Sequence, residues 1–212
     1  DGLPFTPRVY IRVGDKQHYS DAAFIVVTAG AKQRPGESRL DLLQRNATII
    51  RGIFSDIAAS GSTAVSVVVS NPVDILTHVA LDASGCNRSR VIGSGTVLDS
   101  SRFRYLVSQH CSVDVRNVHA YILGEHGDSE VAAWSMTHIA GIHIDRYCHI
   151  CGKCGEHWRE EREKIAETVR DSAYHIIGYK GATYFAIGLA LVRIVGGLLR
   201  NERSVLTVST LL

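Results

Sequence analysis

Ala64-Val65-Ser66-Val67-Val68-Val69-Ser70 is a run rich in β-branched residues with no polar alternation, closed by Asn71-Pro72. Such a run fits a strand covered on both faces, as in a parallel sheet flanked by helices. Asp74 is placed to cap the helix that follows toward Ser84, and Gly85 to end it. Upstream, residues 40–59 carry helical periodicity and end near Gly61. Residues 24–28 read as a second strand turning at Ala29-Gly30, and residues 8–13 as another. Residues 90–93 read as a short strand downstream. Strands alternating with helices imply right-handed crossovers and an α/β sheet.

Beyond Leu98 the pattern changes. Residues 99–111 read as a helix, 118–123 as a strand, 131–145 as mixed short elements, and 156–178 as a long polar helix. Residues 183–200 read as an apolar helix, and 185–199 within it as the most apolar helical run; that run is too short to span a bilayer, which takes about 20 apolar residues, and reads as a buried helix. Residues 205–210 read as a last strand. A boundary near residue 96 is therefore predicted.

Composition narrows the partners. The 212 residues are 45% hydrophobic and 21% charged, with a net charge of +2, which fits a globular chain and gives no reason to expect nucleic acid or membrane. Five cysteines, an odd number, suggest thiols in a reducing, cytoplasmic setting rather than a disulfide framework.

Four segments concentrate chemistry. The first, residues 28–39, follows a strand: Gly30 permits close backbone approach, and Lys32 to Arg39 form a polar stretch with Pro35-Gly36 that fits a lid carrying Arg39 or, equally, a solvated loop. The second, Ser70-Asn71-Pro72-Val73-Asp74, offers the Asn71 amide as donor and acceptor, though by itself it also reads as a strand stop and helix cap. In the third, Asp99 and Arg102 share a helix face, either as a surface ion pair or with separate duties. Asp99 would then orient a histidine, and Arg102 would grip a carboxylate with two parallel hydrogen bonds. In the fourth, glycines flank His126 in Gly124-Glu125-His126-Gly127-Asp128-Ser129. Such a histidine is suited to proton transfer near neutral pH, and also fits an ordinary turn.

Together and in this order, the four segments resemble the lactate/malate dehydrogenase family, most closely its lactate-specific members. The resemblance extends through Gln44-Arg45-Asn46, residues 90–95, Ser172-Ala173-Tyr174 and residues 180–188. It implies an α/β fold: an incomplete Rossmann-type parallel sheet over residues 1–96, then an α+β catalytic domain over 97–212. It also implies hydride transfer between NADH and pyruvate. His126 would exchange the proton, Asp99 would support it, Arg102 would hold the substrate carboxylate, and Arg39 would polarise the carbonyl. Asn71 would contact substrate and nicotinamide, and Thr183 the substrate. Gly30, Ala31, Lys32, Val69 and Ile187 would line the NAD site. Gln33 stands where malate-specific members carry arginine; a neutral residue leaves a second substrate carboxylate unpaired, which favours pyruvate over oxaloacetate. Homo-oligomers, dimers or tetramers, are implied, with contacts including residues 156–178.

Departures are equally legible. The family's opening strand, G-x-G-x-x-G turn and ribose-binding acidic residue do not occur within these residues, nor do its closing strand and helix. The expectation is weak NAD binding by this polypeptide alone; a non-catalytic assembly partner is the alternative reading. Cys148, Cys151, Cys154 and His157 follow one another at three-residue steps and would make four zinc ligands, although incidental cysteines in a variable loop are favoured. Tyr184-Phe185 replaces a Ser-Trp pair. Glu130 stands where serine is common and adds a negative charge near His126.

Overall fold

The computed structural model describes residues 8–32, 34, 36–153, 155, 157–180 and 184–211, with the side chains of 39, 173, 174, 177 and 180 excepted. Strands β1 (Phe24–Val27), β2 (Val65–Val68) and β3 (Val91–Gly93) form a parallel sheet in that order. The register pairs Val27 with Val68, and Val68 with Gly93.

The unbroken apolar run of β2 has a direct cause. Val68 packs with Ile50 and Phe54 of α1 (Arg39–Ala59) and Leu76 and Ala80 of α2 (Val73–Ser84). Its neighbour Val67 points the other way, against Val97 of α3 (Val97–Cys111) and Ala190 and Ile194 of α6 (Phe185–Leu199). Helices cover both faces, so residues of both parities are apolar. α1 starts with a capping box: the Ser38 hydroxyl accepts from the Asp41 N–H, and the Asp41 carboxylate accepts from the Ser38 N–H. α2 ends at Gly85 in the left-handed region (φ 57°).

The second half surrounds another core. Phe103 and Val107 of α3 meet Val118, Ile122, Ile139 and Ile144, with Ile165 and Val169 of α5 (Trp158–Lys180). α3 thus joins the two cores, its first turn against the sheet and its later turns here. β4 (Val118–His119), β7 (His138–Ile139) and β8 (Ile142–His143) form an antiparallel sheet, while β5 (Ile122–Leu123) and β6 (Val131–Ala132) form a separate hairpin. α4 (Ile144–Cys151) follows β8.

Several expectations are corrected. Residues 8–13 are not a strand: they lie in the open, with Val13 fully exposed, and a ladder needs a partner. The strand expected over 118–123 is divided between two sheets around buried Ala120. Residues 205–210 make only a single bridge, Ser209 to Gly93. The α6 helix is buried on one face alone; Phe185, Leu189 and Val192 are exposed on the described surface. Part of the expected cysteine loop is helical, because α4 turns Cys148 into the second core. No described helix is long and apolar enough to cross a membrane.

Candidate active site

Asp99 is the hub. It lies in the first turn of α3 and is only 2% exposed. Its Oδ2 is 2.7 Å from Nδ1 of His126, and its Oδ1 accepts from Nη1 of Arg102 at 3.0 Å. A carboxylate at that distance holds the ring proton on Nδ1, so Nε2 is the nitrogen left for proton exchange. The other guanidinium N–H groups of Arg102 make no hydrogen bond among the described residues, which leaves them for a ligand.

Local structure brings these groups together. His126 lies in the loop closing the β5–β6 hairpin, which Gly124 enters with φ 91°, a conformation glycine adopts without strain. The hairpin is tied to α3 by hydrogen bonds from the Thr96 hydroxyl to the Ile122 carbonyl (2.6 Å) and from the Ile122 N–H to the Ser100 hydroxyl (2.9 Å). The backbone N–H of His126 donates to the Asp74 carboxylate at 2.8 Å. That bond carries His126 to the carboxyl end of β2, where Asn71 lies.

The imidazole has its pKa raised from the ordinary 6.5, chiefly by the hydrogen bond to Asp99, against the opposing effect of burial. The charges of Asp99, Glu130 and Asp74 act in the same direction as that bond. Protonated His126 therefore persists closer to neutral pH, as a proton donor to a carbonyl oxygen requires.

Two further loops meet beside this cluster. Asn46 of α1 accepts from the Ala31 N–H at 2.8 Å and donates to the Asn71 carbonyl at 3.2 Å, joining the ends of β1 and β2. The Ser70 hydroxyl also donates to the Ala29 carbonyl. Gly30 and Lys32 are exposed, and a side chain at Gly30 would meet no protein atom closer than 3.8 Å. Packing alone therefore does not demand glycine there, and the strand end is open to close approach. The Asn71 side chain is exposed and makes no hydrogen bond among the described residues. Val69 and Ile187 are half-buried against the same apolar cluster, a surface suited to a flat ring.

Of the sequence-derived set, His126, Asp99 and Arg102 converge directly, and Gly30, Ala31, Asn71 and Val69 share the adjoining strand ends. Gln33, Thr183, Cys154 and the Arg39 side chain lie outside the described residues. Cys148 is disulfide-bonded, so it offers no thiolate, and Cys148, Cys151 and His157 form no ligand cluster among the described residues. Thiols remain at Cys86, Cys111 and Cys151. Asp74 does not cap α2, as its sequence position suggested; the cap residue Pro72 has no side-chain bond, and the Asp74 carboxylate serves His126 and Ser209. Asn46 is a positioning residue that the four chemical segments do not contain. Its signal was a polar residue four places before Ile50 and eight before Phe54, on the buried face of α1.

Comparison with known proteins agrees with this architecture. Residues 2–93 match the lactate/malate dehydrogenase NAD binding domain, and residues 96–212 the lactate/malate dehydrogenase alpha/beta C-terminal domain. The chain belongs to the lactate/malate dehydrogenase family. It is 64% identical over 208 residues to L-lactate dehydrogenase of Treponema denticola, covering 98% of this chain and 66% of that relative. The L-lactate dehydrogenase of Thermoanaerobacter sp. is 53% identical, over 99% of this chain and 67% of its own length. Among solved structures, a lactate dehydrogenase from a Medee basin deep-sea metagenome library superposes with a TM-score of 0.94 at 47% identity, covering 99% of this chain and 66% of that one. The minor L-lactate dehydrogenase of Enterococcus mundtii in its ligands-bound form gives 0.93 at 45% identity, covering 100% and 67%. The chain thus spans about two thirds of the length of these relatives.

Proposed function

We propose that the protein bearing this chain is an L-lactate dehydrogenase, reducing pyruvate to L-lactate with NADH and running the reverse oxidation. The observation that carries the reading is the buried Asp99 carboxylate held between His126 and Arg102. Bound NADH supplies the hydride. His126 gives its Nε2 proton to the carbonyl oxygen as charge develops there, and Asp99 stabilises the imidazolium before transfer. Arg102 holds the substrate carboxylate so that the carbonyl carbon is correctly presented. The resemblance assigns carbonyl polarisation to Arg39 and further substrate contacts to Gln33, Asn71 and Thr183. The nicotinamide is assigned to the surface of Gly30, Ala31, Lys32, Val69, Asn71 and Ile187, a reading supported by the uncrowded Gly30 and the uncommitted Asn71 amide.

Residues 1–96 are read as the nicotinamide-side half of the dinucleotide domain and 97–212 as the catalytic domain, supported by the change of core along α3. A homo-oligomer is part of the same proposal, supported by the exposed Phe185, Leu189 and Val192 of α6. So is a cytoplasmic setting, which the thiols of Cys86, Cys111 and Cys151 favour and the disulfide at Cys148 opposes.

The test is oxidation of NADH by the full protein bearing this chain, with pyruvate and, in parallel, oxaloacetate. Turnover with a kcat/KM preference for pyruvate is expected from Gln33. A preference for oxaloacetate overturns the substrate assignment, and no turnover with either overturns the enzymatic one.

A further inference from the structure

Glu130 is a buried acid that the proton step described above does not use. It precedes β6 at the end of the His126 loop and is 7% exposed. Its Oε1 is buried and has no hydrogen-bond partner among the described residues. Ligand atoms of Asp99, His126 and Glu130 all lie within 4.8 Å of one another. An unsatisfied carboxyl oxygen in such a place is costly, so its retention calls for a reason other than packing.

We propose that Glu130 is a positioning residue for proton transfer: a second carboxyl beside the Asp99–His126 pair that acts through space on the imidazole and holds its proton.

The surrounding charges make this possible. His126 faces Asp99 from α3, Asp74 from α2 and Glu130 from its own loop. Glu130 faces Asp99 and His126, with the guanidinium groups of Arg102 on α3 and Arg170 on α5 opposing the two acids. Burial, and then the charge of Asp99, push its carboxyl up to about 7, while His126, Arg170 and Arg102 pull it down. Glu130 and His126 lie close enough that the protonation of each acts on the other. When His126 is protonated, Glu130 ionises more readily; when Glu130 is ionised, His126 keeps its proton to higher pH. Asp99 is committed to both His126 and Arg102 and sets the orientation of the ring. Glu130, whose Oε1 has no such bond among the described residues, acts on the imidazole through its charge.

The inference rests on the dehydrogenase reading for its chemical meaning, but its test does not need turnover. Label the histidine ring carbons of the 212-residue chain, assign the His126 resonance by its loss in His126→Gln, and follow it by NMR across pH. In Glu130→Gln, which keeps the size and removes the charge, the His126 midpoint should fall by roughly half to one pH unit. Glu130→Ser should shift it in the same direction, which guards against a folding defect peculiar to one variant. A midpoint unchanged in both variants overturns the proposal, because burial without charge coupling leaves the titration where it was. Failure of the protein to reduce pyruvate sinks the functional reading and leaves this measurement standing.

Discussion

Asp74 and His126, 52 residues apart in sequence, are joined by a 2.8 Å hydrogen bond from the His126 backbone N–H to the Asp74 carboxylate. The other oxygen of that carboxylate accepts from the Ser209 hydroxyl at 2.5 Å. One side chain at the start of α2 therefore anchors both the histidine loop and the segment that bridges to β3. Asp74→Ala removes both acceptors and should cost about 1–3 kcal/mol in a denaturant melt, with a fall in kcat as the loop loosens. Asp74→Asn keeps an oxygen for the His126 N–H and should retain most of the stability. Equal losses in the two variants would show that charge, and not the acceptor, is what matters.

Asp99→Asn should act on pH dependence. With the carboxylate gone, the His126 pKa falls back toward its ordinary 6.5. Reduction requires the protonated imidazole, so the alkaline limb of the pyruvate profile should move to lower pH. Removing one member of a buried ion pair also leaves Arg102 uncompensated, and about 3–5 kcal/mol of stability should be lost. An alkaline limb that does not move would separate Asp99 from the proton step.

Glu130 has a consequence for stability as well as for proton affinity. Its folded pKa of about 7 lies above the ordinary 4.5, so folding favours the protonated form. Its contribution to stability is complete below about pH 4.5 and is lost as pH rises through about 7. The raised His126 works in the same sense, complete below 6.5 and lost as pH rises through its folded value. Glu130→Gln should flatten the dependence between pH 4.5 and 7, gaining on the parent at pH 8 relative to pH 5. Urea melts at the two pH values measure it; identical pH slopes in parent and variant contradict it.

Arg102→Lys keeps the charge and loses the planar fork. One parallel hydrogen bond to the substrate carboxylate should disappear, about 2 kcal/mol or roughly thirtyfold in affinity. The change should appear as a higher KM for pyruvate, with NADH affinity unchanged. An unaltered KM would remove Arg102 from substrate binding.

How much of this was readable beforehand depended on the range of the interaction. The β2 strand was legible because two-sided burial demands apolar residues of both parities, as Val67 and Val68 show from opposite faces. Gly85 ended α2 as expected because its left-handed backbone is a local requirement. Asp74 was misread for the same reason: a cap is the local solution, whereas its actual partners lie 52 and 135 residues away. Residues 8–13 have strand-like composition but no neighbour to pair with among the described residues. The 118–123 segment looked continuous because nothing in its side chains announces that Val118 pairs with Ile139 while Ile122 pairs with Ala132. In the site, residue types named His126, Asp99 and Arg102, but only the fold reveals that Asp99 divides its two oxygens between them.

The most direct test of the whole account is single-turnover reduction of pyruvate by His126→Gln, with NADH binding measured alongside. Loss of the proton donor should slow the chemical step by roughly 10²- to 10⁴-fold while NADH affinity stays at the parent value. Turnover at the parent rate in that variant would contradict the assignment of the proton to His126, and with it the role given to Asp99.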